Sequence, residues 1–155
     1  MTSLPELLSD PVFRKVGAVA DTMGREAYVV GGYVRDLLLG RPSKDIDFVT
    51  VGSGIELARA VARALGRGTH VNVFHSYGTA QVKRRGMELE FVGARRESYN
   101  RDSRNPIVED GTLHDDIARR DFTINAMALC VNDARFGELV DNYNGVQDLA
   151  ARIIR

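Results

Sequence analysis

Asp45 and Asp47 lie two residues apart in the run Asp45-Ile46-Asp47-Phe48-Val49-Thr50-Val51. If that run is a strand, residues i and i+2 project from one side. Both carboxylates then leave the same face while Ile46 and Phe48 point into a core. Adjacent anions repel, and folding gains nothing from bringing them together. A divalent cation relieves the repulsion. Oxygen donors on a rigid strand suit Mg²⁺, which is often held by one or two carboxylates together with substrate phosphates. This is the equipment of metal-assisted phosphoryl or nucleotidyl transfer, where one cation lowers the pKa of an attacking hydroxyl and another steadies the leaving group. Asp-x-Asp is also a common tripeptide, and two solvated acids at a strand end give the same pattern.

Gly31-Gly32 sits between the apolar run Ala27-Tyr28-Val29-Val30 and a helical stretch beginning at Tyr33. Paired glycines there let the backbone approach a ligand closely and present N–H groups suited to phosphate. An ordinary tight turn is the plainer alternative. Arg35, one turn into the helix, can reach a phosphate oxygen, or it can pair with Asp36. Further along, Asp121 and Asn125 are spaced i, i+4 and share a face if their segment is helical, next to Arg120. A solvated helix start has the same composition. Glu88 and Glu90 share one face of a β-like segment.

The elements that must position these groups are legible from periodicity. Leu4, Leu7 and Leu8 suggest a first short helix. Val12, Val16, Val19, Ala20 and Met23 suggest a second, with Asp10 as cap, Pro11 at its first position and Gly24 at its end. Residues 27–30 read as a buried strand, 33–39 as a helix and 45–51 as a second strand. Residues 53–65 read as an amphipathic helix. Three β-like segments follow at 70–74, 79–84 and 87–92, the last two joined by Arg85-Gly86 as a hairpin. Residues 94–115 are rich in charge with Asn, Pro and Gly, which predicts a long mobile loop. A helix is expected from about Asp116 to Val131, then a short strand at Leu139-Val140 and a short helix from Val146 to Ala151. The expected fold is mixed α/β in a single domain.

Composition narrows the functional classes. The chain has 155 residues, 21 Lys+Arg against 21 Asp+Glu, and 44% hydrophobic residues. That is enough for one real core and argues against disorder. No apolar run approaches the length of about 18 residues that a membrane span needs. The first residues carry no basic, apolar leader pattern. A single cysteine, Cys130, cannot close an internal disulfide and fits a reducing cytoplasm; it is expected in the core, as are Ile124, Met127 and Leu129. Neutrality hides a division, since residues 1–104 are net basic and 105–148 net acidic. Within the basic part, Lys83-Arg84-Arg85, Arg95, Arg96, Arg101 and Arg104 could meet RNA or triphosphate, or form solvated faces. Several other signals are set aside. Gly52-Ser53-Gly54 lacks the later features of a dinucleotide fingerprint and reads as a loop with an N-cap. No Gly-Lys-Ser/Thr occurs, and His114-Asp115 lacks partner ligands at helical spacing.

Gly31-Gly32-Tyr33-Val34-Arg35-Asp36-Leu37-Leu38-Leu39-Gly40-Arg41, followed by Asp45-Ile46-Asp47, resembles the signature of class II tRNA nucleotidyltransferases (CCA-adding enzymes) and bacterial poly(A) polymerases. These belong to the DNA polymerase β nucleotidyltransferase superfamily. The segment Arg119 to Ala128 is similar to a second pattern of that family. Gly145-Val146-Gln147-Asp148-Leu149 is similar to a third and weaker one. Glu90 to Tyr99 is similar to the family's strand leading into a flexible loop. The resemblance covers about Ala27 to Arg155.

It implies a DNA polymerase β-like head, a mixed β-sheet flanked by helices, with residues 1–155 as one catalytic head domain. It implies in-line attack of an RNA (tRNA) 3′-hydroxyl on the α-phosphate of ATP or CTP, with release of pyrophosphate. Asp45 and Asp47 would hold Mg²⁺, with Glu90 as a candidate third acid; a solvent-facing glutamate is the alternative for Glu90. Gly31, Gly32 and Arg35 would hold the triphosphate, and Arg120, Asp121 and Asn125 the sugar end. Family enzymes continue well beyond this length, into regions that select the base and grip tRNA. The chain is therefore expected to be the head of a longer enzyme, or else a stand-alone nucleotide- and Mg²⁺-binding module without transferase activity. Its apolar end, Ile153-Ile154, fits a surface that further chain would cover.

Overall fold

The first helix starts where the sequence supplies both a cap and a preset φ. Asp10 accepts a hydrogen bond from the Val12 N–H at 2.9 Å, and Pro11 occupies the first helical position. Helix α1 (Pro11–Thr22) then buries Val12, Phe13, Val16 and Ala20. It is preceded by a single 3₁₀ turn, Pro5–Leu7. The computed structural model describes residues 4–41, 45–99, 106–110, 112–113, 126–143 and 145–151.

Strand β1 (Ala27–Val30) is buried along its whole length and leads into α2 (Gly32–Leu38). Strand β2 (Asp45–Thr50) is followed by α3 (Gly54–Leu65). The Ser53 hydroxyl accepts from the Glu56 N–H at 3.2 Å, so Gly52-Ser53-Gly54 is a loop and helix cap, as its sequence suggests. Strands β3 (His70–Phe74), β4 (Thr79–Arg84) and β5 (Met87–Gly93) follow. Arg85 and Gly86 both have positive φ, 52° and 78°. That is the two-residue turn whose twist matches a hairpin.

Two expectations need correction. Residues 94–115 are not one long loop: β6 (Arg95–Tyr99) and β7 (Pro106–Asp110) form an antiparallel ribbon. Its register sets Arg95 opposite Asp110 and Arg96 opposite Glu109. A segment that reads as loop in one dimension is a backbone ribbon in two. The expected helix from Asp116 to Val131 also does not hold at its end, because β8 (Ala128–Cys130) is a strand paired antiparallel with β1. Residues 126–131 are all buried. A short run that is apolar throughout carries no periodicity to separate strand from helix, and the open edge of β1 decides it. The preceding part of that expected helix, and Ile153-Ile154, lie outside the described residues. Strand β9 (Leu139–Val140) and α4 (Gly145–Ala151) complete the order.

The main sheet runs β3-β4-β5-β2-β1-β8-β9. The β2–β5 pair is parallel and the other described pairs are antiparallel. The mixed α/β expectation is met. Helices α1 and α3 cover one face, where Phe13, Val16, Leu57 and Val61 pack with Ile46, Phe48, Leu89 and Phe91. On the opposite face a smaller cluster of Tyr28, Val30, Val49, Ala128 and Cys130 covers the β1–β8 side. Cys130 and Met127 are fully buried, as expected, with Cys130 on a strand rather than a helix. Among the described residues, no helix is long and apolar enough to cross a membrane.

Phe48 joins the two strands that matter most. Its ring stacks on Phe91 at 5.0 Å between centroids and tilts against Phe13 at 6.3 Å. Phe48→Ala should therefore cost about 3–5 kcal/mol, measured by chemical denaturation, because it removes a ring that the surrounding side chains cannot replace.

Candidate active site

The burial of β2 alternates at its start. Asp45 and Asp47 are exposed, while Ile46 and Phe48 are buried. Both carboxylates therefore stand on the face away from α1 and α3, as their spacing predicts. Parallel pairing places Glu88 beside Asp45 and Glu90 beside Asp47. Neighbouring strands lie about 4.8 Å apart, so four acidic side chains share one small area of sheet. They line a cleft of ≈ 280 Å³ together with Gln81.

The four acids are not equivalent. Glu88 is neutralised by the next strand, where Lys83 Nζ lies 3.3 Å from one of its oxygens and Gln81 Nε2 donates to the other at 3.3 Å. Partial burial raises the pKa of Glu90, and the Asp47, Asp45 and Glu88 carboxylates raise it further. Glu90 is thus within the electrostatic reach of the pair, as a third acid must be. Among the described residues, no three acidic, His or Cys side chains already converge on a single cation position. This donor set suits a cation that takes one or two carboxylates and completes its shell with water and phosphate. It is not an all-protein cage.

The glycine turn adjoins the same row. Val30, the last residue of β1, pairs with Asp47, and Gly31 follows directly. Gly31 has φ 73° and ψ −143°, a conformation essentially closed to other residues. Its carbonyl accepts from the N–H groups of Val34 and Arg35 at 3.1 and 3.3 Å. The Arg35 guanidinium folds back over Gly32, so a Cβ built there would lie 3.2 Å from Nη2. Arg35 Nε also donates to Asp36 at 3.2 Å. Arg35 thus pairs with Asp36 while lying at the glycine turn.

Asp45, Asp47, Glu90, Gly31, Gly32 and Arg35 thus occupy adjoining positions on β2, β5 and the β1–α2 turn. Arg120, Asp121 and Asn125 lie outside the described residues. Gly145 opens α4, where the Asp141 carboxylate accepts from the N–H groups of Gly145 and Val146 at 2.6 and 3.0 Å. That segment acts as a capped helix start. The clamp of Lys83 and Gln81 on Glu88 is absent from the sequence reading. Counting back from the two-residue turn at Arg85-Gly86 reveals its Lys83 half, because that turn sets Lys83 opposite Glu88; Gln81, opposite Glu90, reaches Glu88 along the diagonal.

Comparison with known proteins agrees with this geometry. Residues 27–155 match the family model of the poly A polymerase head domain. An A-adding tRNA nucleotidyltransferase of Aquifex aeolicus is 49% identical over 129 residues, which cover 83% of this chain and 15% of that protein. A solved CCA-adding enzyme in an apo form superposes with a TM-score of 0.88 at 36% identity, over 99% of this chain and 38% of that one. A tRNA nucleotidyltransferase solved with a primer tRNA and an incoming ATP analogue superposes with a TM-score of 0.79 at 46% identity. That match covers 90% of this chain and 38% of the other. The chain thus spans well under half the length of these relatives. With the carboxylate pair, the glycine turn and the mixed sheet in register with the matched region, the chain belongs to the poly A polymerase head-domain family.

Proposed function

We propose that this chain is the catalytic head of an RNA nucleotidyltransferase, with residues 1–155 forming one domain of a longer enzyme. It would move a nucleotide from ATP or CTP to the 3′-hydroxyl of tRNA or another RNA in the cytoplasm. The observation that carries this reading is the row Val30–Asp47–Glu90, which sets a glycine-only turn beside a carboxylate pair on one sheet face. The relative solved with primer tRNA and an ATP analogue supports the choice of substrates. In the proposed reaction the RNA 3′-oxygen attacks the α-phosphorus and its proton leaves to solvent. The bond to the bridging oxygen breaks opposite the new bond, and pyrophosphate departs.

The roles of the residues follow from position. Asp45 and Asp47 supply carboxylate oxygens for Mg²⁺, and Glu90 adds negative potential beside them. When bound, Mg²⁺ would supply charge neutralisation, activation of the hydroxyl and stabilisation of the departing pyrophosphate. Gly31 and Gly32 let the triphosphate approach the backbone closely, and Arg35 offers donors at that turn. Arg120, Asp121 and Asn125 are proposed to hold the sugar end.

A second reading rests on the same cleft and glycine turn, which account for binding without requiring transfer. It is a stand-alone nucleotide- and Mg²⁺-binding module. The two separate in one assay of the chain with tRNA, labelled ATP and CTP, and Mg²⁺. Weak Mg²⁺-dependent incorporation supports the transferase. Nucleotide binding with no incorporation supports the module. In an active enzyme carrying this head, Asp45→Asn with Asp47→Asn should reduce incorporation on the order of 10³-fold or more. Survival of incorporation would end the proposal.

The raised pKa of Glu90 yields a separate expectation. A carboxyl with a folded-state pKa above its unfolded value binds more protons when folded. Metal-free stability then falls as pH rises from the unfolded value through the folded one. Glu90→Gln should remove this fall and raise the metal-free melting temperature at neutral pH. Mg²⁺ should narrow the gap between variant and wild type. A Glu90→Gln chain with an unchanged pH–stability profile would show that Glu90 does not feel the pair.

A further inference from the structure

The β4–β5 hairpin carries cations that the site described above does not use. Arg84 Nε is buried and has no hydrogen-bond partner among the described residues, and the hydroxyl of Thr69, just before β3, is in the same state. A guanidinium N–H removed from water without a partner is unfavourable, and the same side chain lines the grooves at the end of the hairpin. Arg85 holds φ 52° at a turn position that favours Asn or Gly. A non-glycine residue kept in the left-handed region is a reason to look for function. Neither arginine, nor nearby Lys15, forms an ion pair with a described residue.

Three concavities connect through shared residues. The carboxylate cleft meets a groove of ≈ 320 Å³ at Glu88, and that groove contains His70, Lys83, Arg84 and Arg85. The groove turns the end of the hairpin and shares Arg84, Arg85 and Met87 with a cavity of ≈ 360 Å³ on the α1–α3 face of the sheet, opposite the carboxylates. The floor of that cavity is apolar, formed by Val12, Leu65, Met87 and Leu89, and its rim carries Lys15 and the Asp10 carboxylate. Asp10 already accepts from the Val12 N–H, and Glu88 already faces Lys83. The groove and the cavity together carry Lys15, Lys83, Arg84 and Arg85 against Asp10 and Glu88, an excess of positive charge.

Position decides which phosphate this suits. The sheet order β4-β5-β2-β1 puts the hairpin on one side of Asp45 and Asp47 and the Gly31-Gly32 turn on the other. In-line displacement requires the attacking oxygen and the departing pyrophosphate on opposite sides of the α-phosphorus. If the triphosphate lies on the glycine turn, the RNA comes from the hairpin side. We propose that Arg84 and Arg85, at the end of the hairpin, each neutralise a backbone phosphate of the RNA strand leading to its reacting 3′ end. This rests on the transferase reading and adds to it a grip within the head itself.

The test is fluorescence anisotropy of a labelled single-stranded oligocytidylate with the chain, over about 50 to 200 mM salt. Arg84→Ala with Arg85→Ala should weaken binding and flatten the log–log salt slope by about 1.4. The wild type then loses roughly sevenfold more affinity than the variant across that range. Arg85→Asn should flatten the slope by about 0.7 while keeping or raising the melting temperature, since it also relieves the turn. Lysines at both positions should restore the slope. Mg²⁺-ATP binding should persist in every variant, and inorganic pyrophosphate should not displace the RNA. The proposal is overturned by an unchanged slope in folded variants, by absence of RNA binding in the wild type, or by displacement with pyrophosphate, which would assign the hairpin to nucleotide phosphates. Failure of the wild type to bind Mg²⁺-ATP would instead sink the transferase reading.

Discussion

Four carboxyl groups on two adjacent strands repel one another, and the fold holds them together by burying what lies behind them. Ile46 and Phe48 alternate with Asp45 and Asp47, and Leu89 and Phe91 alternate with Glu88 and Glu90. Slipping either strand by one residue would expose the aromatics and bury the acids, so the core sets the register of the site. The parallel β2–β5 pair is thus both the centre of the hydrophobic packing and the platform for the charge. Lys83 and Gln81 offset Glu88, while Glu90 feels the Asp47 and Asp45 carboxylates beside it.

In the proposed reading the sheet also separates two kinds of phosphate contact. On the β1 side, a backbone turn that only glycine adopts leaves room for close approach of a ligand. On the β4 side, the approach is lined by side-chain cations whose buried donor lacks a partner. The neutral total charge is therefore no argument against polyanionic substrates. Cations gather at the end of the β4–β5 hairpin and carboxylates on the adjoining face of β2 and β5.

Much of this was legible before any coordinates. The strand–glycine–helix order, the alternation of β2 and the hairpin at Arg85-Gly86 rest on local rules, and the structure keeps them within a residue or two. What escaped depends on partners distant in sequence. Residues 126–131 carry no period, and only the open edge of β1 makes Ala128–Cys130 a strand. The charge-rich 94–115 segment looks like loop until Arg95 and Arg96 are set opposite Asp110 and Glu109. The individual states of Glu88 and Glu90 likewise follow from cross-strand neighbours, which no local window contains. The second motif, with Arg120, Asp121 and Asn125, rests on its resemblance alone.

The central claim is that the face of β2 and β5 takes a divalent cation together with a nucleotide. Paramagnetic broadening by Mn²⁺ in the presence of ATP, followed residue by residue in amide NMR spectra, tests it most directly. The account predicts that Asp45, Asp47 and Glu90 broaden first, that Gly31 and Gly32 follow, and that excess Mg²⁺ reverses the effect. Broadening centred elsewhere, or none at these residues, would contradict it.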